Sequence, residues 1–295
     1  MKMFRRTLKV VGVAALACVV GLLGVGDYVY RTGTKVFCGI HPDHADNTPS
    51  RFETPGSGMG PFRGTGWDRW VGHDLSAWWV PDIPVETVQI RDPYRAVTIA
   101  GWWMTPDFPS TKATVIVVHG IDSSRHNFDT LMPAAMLARE GFNILLIDLR
   151  DQGETTCEDG RHSAGQDESD DILTAAYWLK SVKAIPLSRL GVHGVSGGAL
   201  AALIVAAKNS EIAAFSLEAP VFDFNKAATH EVEYQGFPGF FWRAAYWAAR
   251  IRGKDLMAIT PADGISRMNQ RPVQVLHGTA DSRVAYNNAR DLVRF

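Results

Sequence analysis

The sequence predicts an α/β fold in which a mostly parallel central sheet is flanked by helices. From residue 85 onward, strand-like segments alternate with helix-like segments, which indicates βαβ units. Two strand-like segments, 113–118 (ATVIVV) and 142–149 (FNILLIDL), are almost continuously apolar, as is typical of strands buried on both faces. The unusual loops follow the predicted strands, at the edge where such sheets bind ligands.

Each element has its own signal. Segments 85–90 and 97–104 resemble the two arms of a β-hairpin, and 131–140 is helical in spacing with Gly141 as its stop. Residues 172–182 repeat apolar side chains at helical intervals, and an alanine-rich stretch predicts a helix over 198–208. Shorter apolar runs predict the remaining strands at 190–193, 213–217 and 273–276.

The composition limits the function classes. The chain has 295 residues, is 46% hydrophobic and carries a formal net charge of -1. That length supports one large core, and the lack of a basic surplus argues against a nucleic-acid partner. Residues 41–84 are rich in Pro, Gly, Asn and Trp, and an irregular lead-in is therefore predicted over 32–84, before a domain over 85–295.

The first 31 residues predict a membrane segment. A basic stretch, MKMFRRTLK, precedes seventeen residues without charge, 10–26. We favour an uncleaved signal anchor, with the N-terminus in the cytoplasm and the domain outside. The alternative is a signal peptide cleaved after Gly26, which would release a secreted protein. An exported domain can form disulfides, and a bridge between Cys38 and Cys157 is therefore expected.

A glycine-rich turn follows the strand predicted at 190–193. It reads HGVSGG, and it places Ser196 in a G-x-S-x-G pattern between a strand and a helix. Gly194 and Gly198 would let the strand and helix pass closely, and Ser196 would stand exposed as a nucleophile. The N–H of Gly197 would lie at a helix N-terminus, where it could stabilise an oxyanion. A second donor is expected from the loop after 113–118, and the Ile121 N–H is the candidate.

Four motifs in order, VIVVHG, IDLRDQG, GVHGVSGGA and VQVLHGTAD, resemble the α/β-hydrolase superfamily over about 85–295. They look most like the exported, serine aminopeptidase-like bacterial branch. The resemblance implies Ser196 as nucleophile, Ile121 and Gly197 as oxyanion donors, and Asp281 as the acid that orients a histidine. Asp223 is the alternative acid. Asp148 and Arg150 also match the family pattern, and we interpret them as a structural ion pair.

The catalytic histidine is missing from its expected place. In this superfamily it follows the acid, yet no histidine follows Asp281 in the sequence given. We therefore expect an α/β-hydrolase fold without its last strand and histidine loop, in a chain truncated before that histidine and by itself inactive. His126, His162 and His230 are conceivable replacements, and His119 and His193 are expected to be structural.

The residues at 225–264, with many aromatic side chains, predict either a helical lid or a pair of helices packed on the core. A lid would favour a small-molecule or lipid-like acyl substrate. The sequence contains neither a strong metal-ligand cluster nor a dinucleotide fingerprint, so neither a metal nor another cofactor is expected. The predicted function is a serine hydrolase acting on an ester, thioester or amide. The alternatives are an inactive, membrane-anchored binding module and an acyltransferase.

Overall fold

A computed structural model of the chain describes residues 2–55, 71–106 and 113–295. Part of the predicted lead-in, 56–70, and the loop at 107–112 lie outside the described residues. The rest contains a seven-stranded sheet in the order β1-β2-β4-β3-β5-β6-β7. Its strands are β1 (Val85–Arg91), β2 (Thr98–Met104), β3 (Thr114–Val118), β4 (Asn143–Ile147), β5 (Leu190–Val195), β6 (Ala214–Glu218) and β7 (Val273–Leu276).

The predicted mostly parallel sheet is confirmed. β1 pairs antiparallel with β2, and β2 pairs antiparallel with β4, while β4, β3, β5, β6 and β7 are parallel neighbours. Within the described residues β7 lies at the sheet edge and pairs only with β6. The carboxyl ends of β3, β5, β6 and β7 therefore share one edge, and the loops that follow these strands lie there.

Helices cover the sheet and extend beyond it. They are α1 (Lys2–Gly33), α2 (Phe128–Arg139), α3 (Glu168–Val182), α4 (Gly197–Lys208), α5 (Phe224–Tyr234), α6 (Phe241–Ile251), α7 (Pro261–Ser266) and α8 (Asn287–Arg294). The predicted helix at 131–140 begins three residues earlier, because Asn127 caps it by accepting a hydrogen bond from the Asp129 N–H. Helix α3 begins at Glu168 with an acidic first turn, which its dipole favours.

Alternation along the strands divides the core into two layers. Ile116 and Val118 pack on the side that holds α3 and α4, whereas Val117 packs on the side that holds α2. This follows from the two-residue period of a strand. The lead-in packs on the α2 side, where Phe52 is fully buried and its carbonyl accepts a hydrogen bond from the Trp79 indole.

A third apolar cluster lies where α1 meets the helical insertion formed by α5, α6 and α7. Val29 and Tyr30 of α1 are buried there with Trp242 and Ala245 of α6. The helices approach so closely that a Cβ at Gly26 would overlap the backbone of Ala244. The last two turns of α1 are therefore packed as part of the folded domain.

Before these turns, residues 11–25 of α1 are exposed apart from the half-buried Leu23. Val11–Gly33 is long and apolar enough to cross a membrane, a property that an N-terminal signal sequence shares. Only 6% of its most apolar window is buried in the protein. Apart from Gly26, which contacts Ala244, the apolar surface of α1 is thus largely exposed over the segment that the sequence assigns to the membrane.

Candidate active site

The turn between β5 and α4 has the geometry of a nucleophile elbow. Ser196 adopts φ 51° and ψ -110°, in a region that L-residues rarely occupy. Its N–H donates to the Glu218 carbonyl at 2.8 Å, which fixes the turn to the end of β6. The side chain of Ser196 stands at the carboxyl edge of the sheet and is partly exposed.

The glycines around Ser196 occupy positions where a side chain would not fit. A Cβ at Gly194 would overlap the carbonyl group of Gly198, where β5 and α4 pass each other. A Cβ at Gly198 would lie 2.5 Å from the His119 carbonyl oxygen and 2.6 Å from that of Val118. The spacing that identified the motif in the sequence thus corresponds to close backbone contacts among β3, β5 and α4.

The two proposed oxyanion donors are brought together. A Cβ placed on Gly197 would lie 3.0 Å from the Ile121 nitrogen and would overlap the Ile121 side chain. A Cβ on Gly120 would lie 3.5 Å from the Ser196 Cβ. The loop after β3 and the first turn of α4 therefore lie directly beside the serine, and this geometry suits an oxyanion hole.

Buried polar groups hold the loop that carries Ile121. Gln152 Oε1 accepts hydrogen bonds from the N–H groups of Asp122 at 2.6 Å and Ser123 at 3.3 Å. The Asp148 carboxylate accepts from the Arg125 N–H at 2.7 Å and pairs with the Arg125 guanidinium, which also pairs with Glu154. Because these contacts fix the loop, the Ile121 N–H needs little reorganisation when negative charge develops on the carbonyl oxygen of a substrate.

The interpretation of Asp148 and Arg150 as one ion pair is wrong. Asp148 pairs with Arg125, whereas Arg150 pairs with Asp171 at 2.6 Å and with Glu158 at 3.0 Å. The two side chains are close in sequence, but each meets a partner from another element. The IDLRDQG motif gave a signal for this region, yet it did not reveal the supporting role of Gln152 or of Arg125.

Asp281 lies in the turn after β7, at the same sheet edge as Ser196 but two strands away. Its Oδ1 accepts from the N–H groups of Arg283 at 2.9 Å and Val284 at 2.8 Å, and its Oδ2 lies 3.5 Å from His277 Nε2. Burial alone would raise the pKa of Asp281, but these hydrogen bonds hold it below the ordinary value. The carboxylate is therefore ionised at neutral pH, as a triad acid must be.

The alternative acid, Asp223, has another role in the structure. Asp223 is the N-cap of α5, and its Oδ1 accepts from the Lys226 N–H at 3.0 Å. Its second oxygen lies 3.2 Å from the Lys226 ammonium. These contacts account for the carboxylate as a helix cap.

Within the described part of the chain, no hydrogen bond joins an imidazole nitrogen to Ser196 Oγ. His126 contacts the Asn47 carbonyl, His162 the Gly33 carbonyl and His230 the Ser282 carbonyl. His119 is fully buried; it contacts the Gly120 carbonyl and accepts from the Leu149 N–H. The structure thus brings Ser196 together with the two oxyanion donors. None of these four histidines forms a hydrogen bond with Ser196 Oγ.

Cys38 and Cys157 form a disulfide that ties the segment after α1 to the loop after β4. Asp151 lies beside it, and its carboxylate accepts three backbone hydrogen bonds, from Glu158, Asp159 and Gly160. The two sulfurs and this carboxylate lie within 4.8 Å of one another. Sulfurs joined in a disulfide are not thiolate ligands, so these three residues do not form a metal site.

Comparisons with known proteins agree with this geometry. The sequence profile of the prolyl oligopeptidase family matches residues 127–295. No curated protein sequence matches the chain. Among solved structures, the Pyrococcus furiosus esterase Pf2001 superposes with a TM-score of 0.57 at 22% identity, over 73% of this chain and 80% of the esterase.

Two peptidases superpose over a smaller share of their own chains. Pyrococcus horikoshii acylaminoacyl peptidase gives a TM-score of 0.54 at 16% identity, over 72% of this chain and 34% of that one. Porphyromonas gingivalis dipeptidyl peptidase 4 gives 0.52 at 21% identity, over 72% and 30%. These neighbours confirm the α/β-hydrolase fold, and because the family profile covers more than half of the sequence, the chain belongs to the prolyl oligopeptidase family.

Proposed function

We propose that the protein is a membrane-anchored serine hydrolase that cleaves an ester, thioester or amide through an acyl-enzyme at Ser196. The elbow conformation of Ser196, with two backbone N–H groups beside it, is the observation that carries the proposal. Family membership supports hydrolase chemistry, and the exposed apolar surface of α1 supports the anchor.

In the proposed reaction, Ser196 Oγ attacks the substrate carbonyl carbon while a histidine accepts the hydroxyl proton. The Ile121 and Gly197 N–H groups stabilise the resulting oxyanion. Collapse of this intermediate breaks the bond to the leaving group, which takes the proton from the imidazolium. Water then attacks the acyl-enzyme by the same route, releasing the acid and restoring Ser196.

Asp281 is the proposed acid, because its carboxylate is ionised and lies at the same sheet edge as the serine. A histidine is the proposed base, as in the family pattern, and the experiment uses the protein translated from the complete reading frame. The helical insertion is proposed as a lid. Its partly buried aromatic side chains, including Phe237, Phe241 and Tyr246, favour a substrate with an apolar acyl group.

The test is labelling with a fluorophosphonate, which reacts with an activated serine. We expect the complete translated protein to be labelled and the Ser196→Ala variant to remain unlabelled. Ser181→Ala is the matched control, because Ser181 is an exposed serine of α3 and should leave labelling unchanged. Labelling that survives Ser196→Ala would refute the assignment. Saturable ligand binding without labelling or turnover would favour the binding module instead.

A further inference from the structure

A basic cavity lies at the junction of α1 and the helical insertion. The residues that line it belong to other segments of the chain than Ser196, which lies between β5 and α4. The cavity has a volume of about 310 Å³. Four cationic side chains and one carboxylate line it together with a tyrosine: Arg31, Arg161, Arg252, Lys254, Asp159 and Tyr30. The hydrolase mechanism uses none of these residues.

Two of the cations already have carboxylate partners. Arg252 Nε lies 2.5 Å from the Asp27 carboxylate, and Lys254 Nζ lies 3.0 Å from that of Asp167. These ion pairs fix the end of α6 to α1 and to the segment before α3. They hold two positive side chains at the cavity wall, and each side chain keeps further N–H groups that can donate to a ligand.

Among the described residues the other two cations, Arg31 and Arg161, form no ion pair, although both lie close enough to the Asp27 carboxylate to attract it. Within the described residues, Arg31 forms no side-chain hydrogen bond or ion pair. In the part of the chain that the structure describes, the Arg161 guanidinium donates to two uncharged acceptors, the Arg31 carbonyl and the Thr34 hydroxyl, and it lies 5.8 Å from the centre of the Tyr30 ring.

Asp159 is the one carboxylate among the described residues that line the cavity. Together with Asp27 and Asp167, three carboxylates face four cations, which leaves one positive charge uncompensated. A phosphate group compensates this charge and accepts hydrogen bonds from the remaining N–H donors.

The position of the cavity indicates the source of that phosphate. Arg31 lies in the last turn of α1, less than two turns after Val25, which still exposes apolar surface. Beside it, α6 exposes Trp247 and Ile251, at 59% and 70% of their surfaces. Basic side chains next to exposed aromatic and aliphatic ones are typical of the region where lipid headgroups meet acyl chains.

We propose that this cavity binds the phosphate of an anionic phospholipid headgroup, with Trp247 and Ile251 against its acyl chains. The inference rests on the membrane anchor of the proposed function, and it concerns a different site from Ser196. Binding of one lipid here would orient the domain on the membrane through α1 and α6.

The test uses the full chain in non-ionic detergent, titrated with short-chain phosphatidylglycerol while the thermal unfolding midpoint is recorded. We expect a saturable rise of the midpoint. Arg31→Gln should weaken the apparent affinity about fivefold, as expected for one basic residue near a phosphate. Asp159→Asn should strengthen it, because it removes the negative charge of the lining. Arg31→Lys should retain most of the affinity.

Arg243→Gln is the matched control, because Arg243 is exposed on α6 and lies outside the cavity lining. Phosphatidylcholine, glycerol phosphate and inorganic phosphate are titrated in parallel. Equal affinity for inorganic phosphate and phosphatidylglycerol would overturn the lipid source. Phosphatidylglycerol binding that ignores both Arg31→Gln and Asp159→Asn would overturn the site. Flotation with vesicles tests the anchor separately, and fluorophosphonate labelling tests the hydrolase.

Discussion

Ser196 is held in a backbone conformation that costs on the order of 1–3 kcal/mol for a residue other than glycine. The surrounding contacts offset this cost. The Ser196 N–H donates to the Glu218 carbonyl of β6, and the nearby glycines pack closely on α4 (Gly194), on the Ile121 loop (Gly197) and on the end of β3 (Gly198). The conformation places Oγ at the sheet edge and the Gly197 N–H beside the Ile121 loop. Strain of this kind is expected where the chain prepares a group for reaction.

Gly197→Ala should lower kcat/KM for an ester substrate of the complete protein by about tenfold or more, because the new Cβ displaces the Ile121 loop and with it one oxyanion donor. Ile121→Ala in the same protein should restore part of the loss, since the overlap includes the Ile121 side chain. Gly191→Ala is the control: its Cβ would meet its nearest neighbour at an ordinary 3.7 Å. Equal kinetics for Gly197→Ala and Gly191→Ala would contradict the oxyanion assignment.

His193, three residues before Ser196, is buried and neutral. Burial lowers its pKa to about 4, so the 3.8 Å approach of Nε2 to Glu218 is not an ion pair at neutral pH. Below pH 6.5 the unfolded chain binds a proton at this histidine that the folded chain does not. The contribution of His193 to the unfolding free energy is therefore fully present above the pKa of the unfolded chain, and it is lost as the pH falls toward 4.

His193→Asn should remove this contribution while keeping a partner for Ser216, whose Oγ lies 3.0 Å from His193 Nδ1. Between pH 7 and pH 5, we expect the wild type to lose about 2 kcal/mol more unfolding free energy than the variant. Urea titrations at the two pH values measure the difference. Parallel losses in both proteins would show that His193 is not the titrating group.

Among the elements, the segment after α1 is fixed to the domain by the disulfide between Cys38 and Cys157, which are separated by 119 residues. Bridging such a long loop restricts the unfolded chain strongly. Cys38→Ser should therefore lower the unfolding free energy by about 2–4 kcal/mol in denaturant titrations without reductant. Cys18→Ser is the control, because Cys18 is a free cysteine of α1. An unchanged midpoint in Cys38→Ser would indicate that the bridge adds no stability.

The regular elements could be predicted because their signals are local. Apolar runs and glycine spacing located the strands and the elbow to within a few residues, and family motifs supplied their order. The ion pairs could not be predicted, because Arg125 and Asp148 are 23 residues apart and meet only after β3 and β4 have paired. The contact of Gly26 with Ala244 is equally non-local, so a helix identified by its apolar composition gave no indication of its partner in the domain.

Across the whole molecule, α1 has two different surfaces. Its apolar residues between Val11 and Val25 are largely exposed, and its last two turns bury Val29 and Tyr30 against α6. A chain that begins at Asp27, as after signal cleavage, keeps these contacts, whereas a chain that begins at Lys35 loses both side chains.

We expect the Asp27 start to preserve the stability of the helical insertion and the Lys35 start to lower it by about 3 kcal/mol or more, since each side chain contributes roughly 1.5–3 kcal/mol when buried. Limited proteolysis near Phe237 and chemical denaturation measure the change. Identical protease resistance in the two chains would show that the end of α1 does not support the insertion.

The disulfide also limits how far the domain can travel from the bilayer in an anchored enzyme. Only four residues separate the end of α1 at Gly33 from Cys38, and the five residue steps between these two Cα atoms span at most about 18 Å when fully extended. Because Cys38 is bonded through Cys157 to the loop after β4, this short connection limits the height of Ser196 above the lipid. Such an enzyme would work on substrates that arrive at the membrane surface and would not reach those held farther out in the surrounding space.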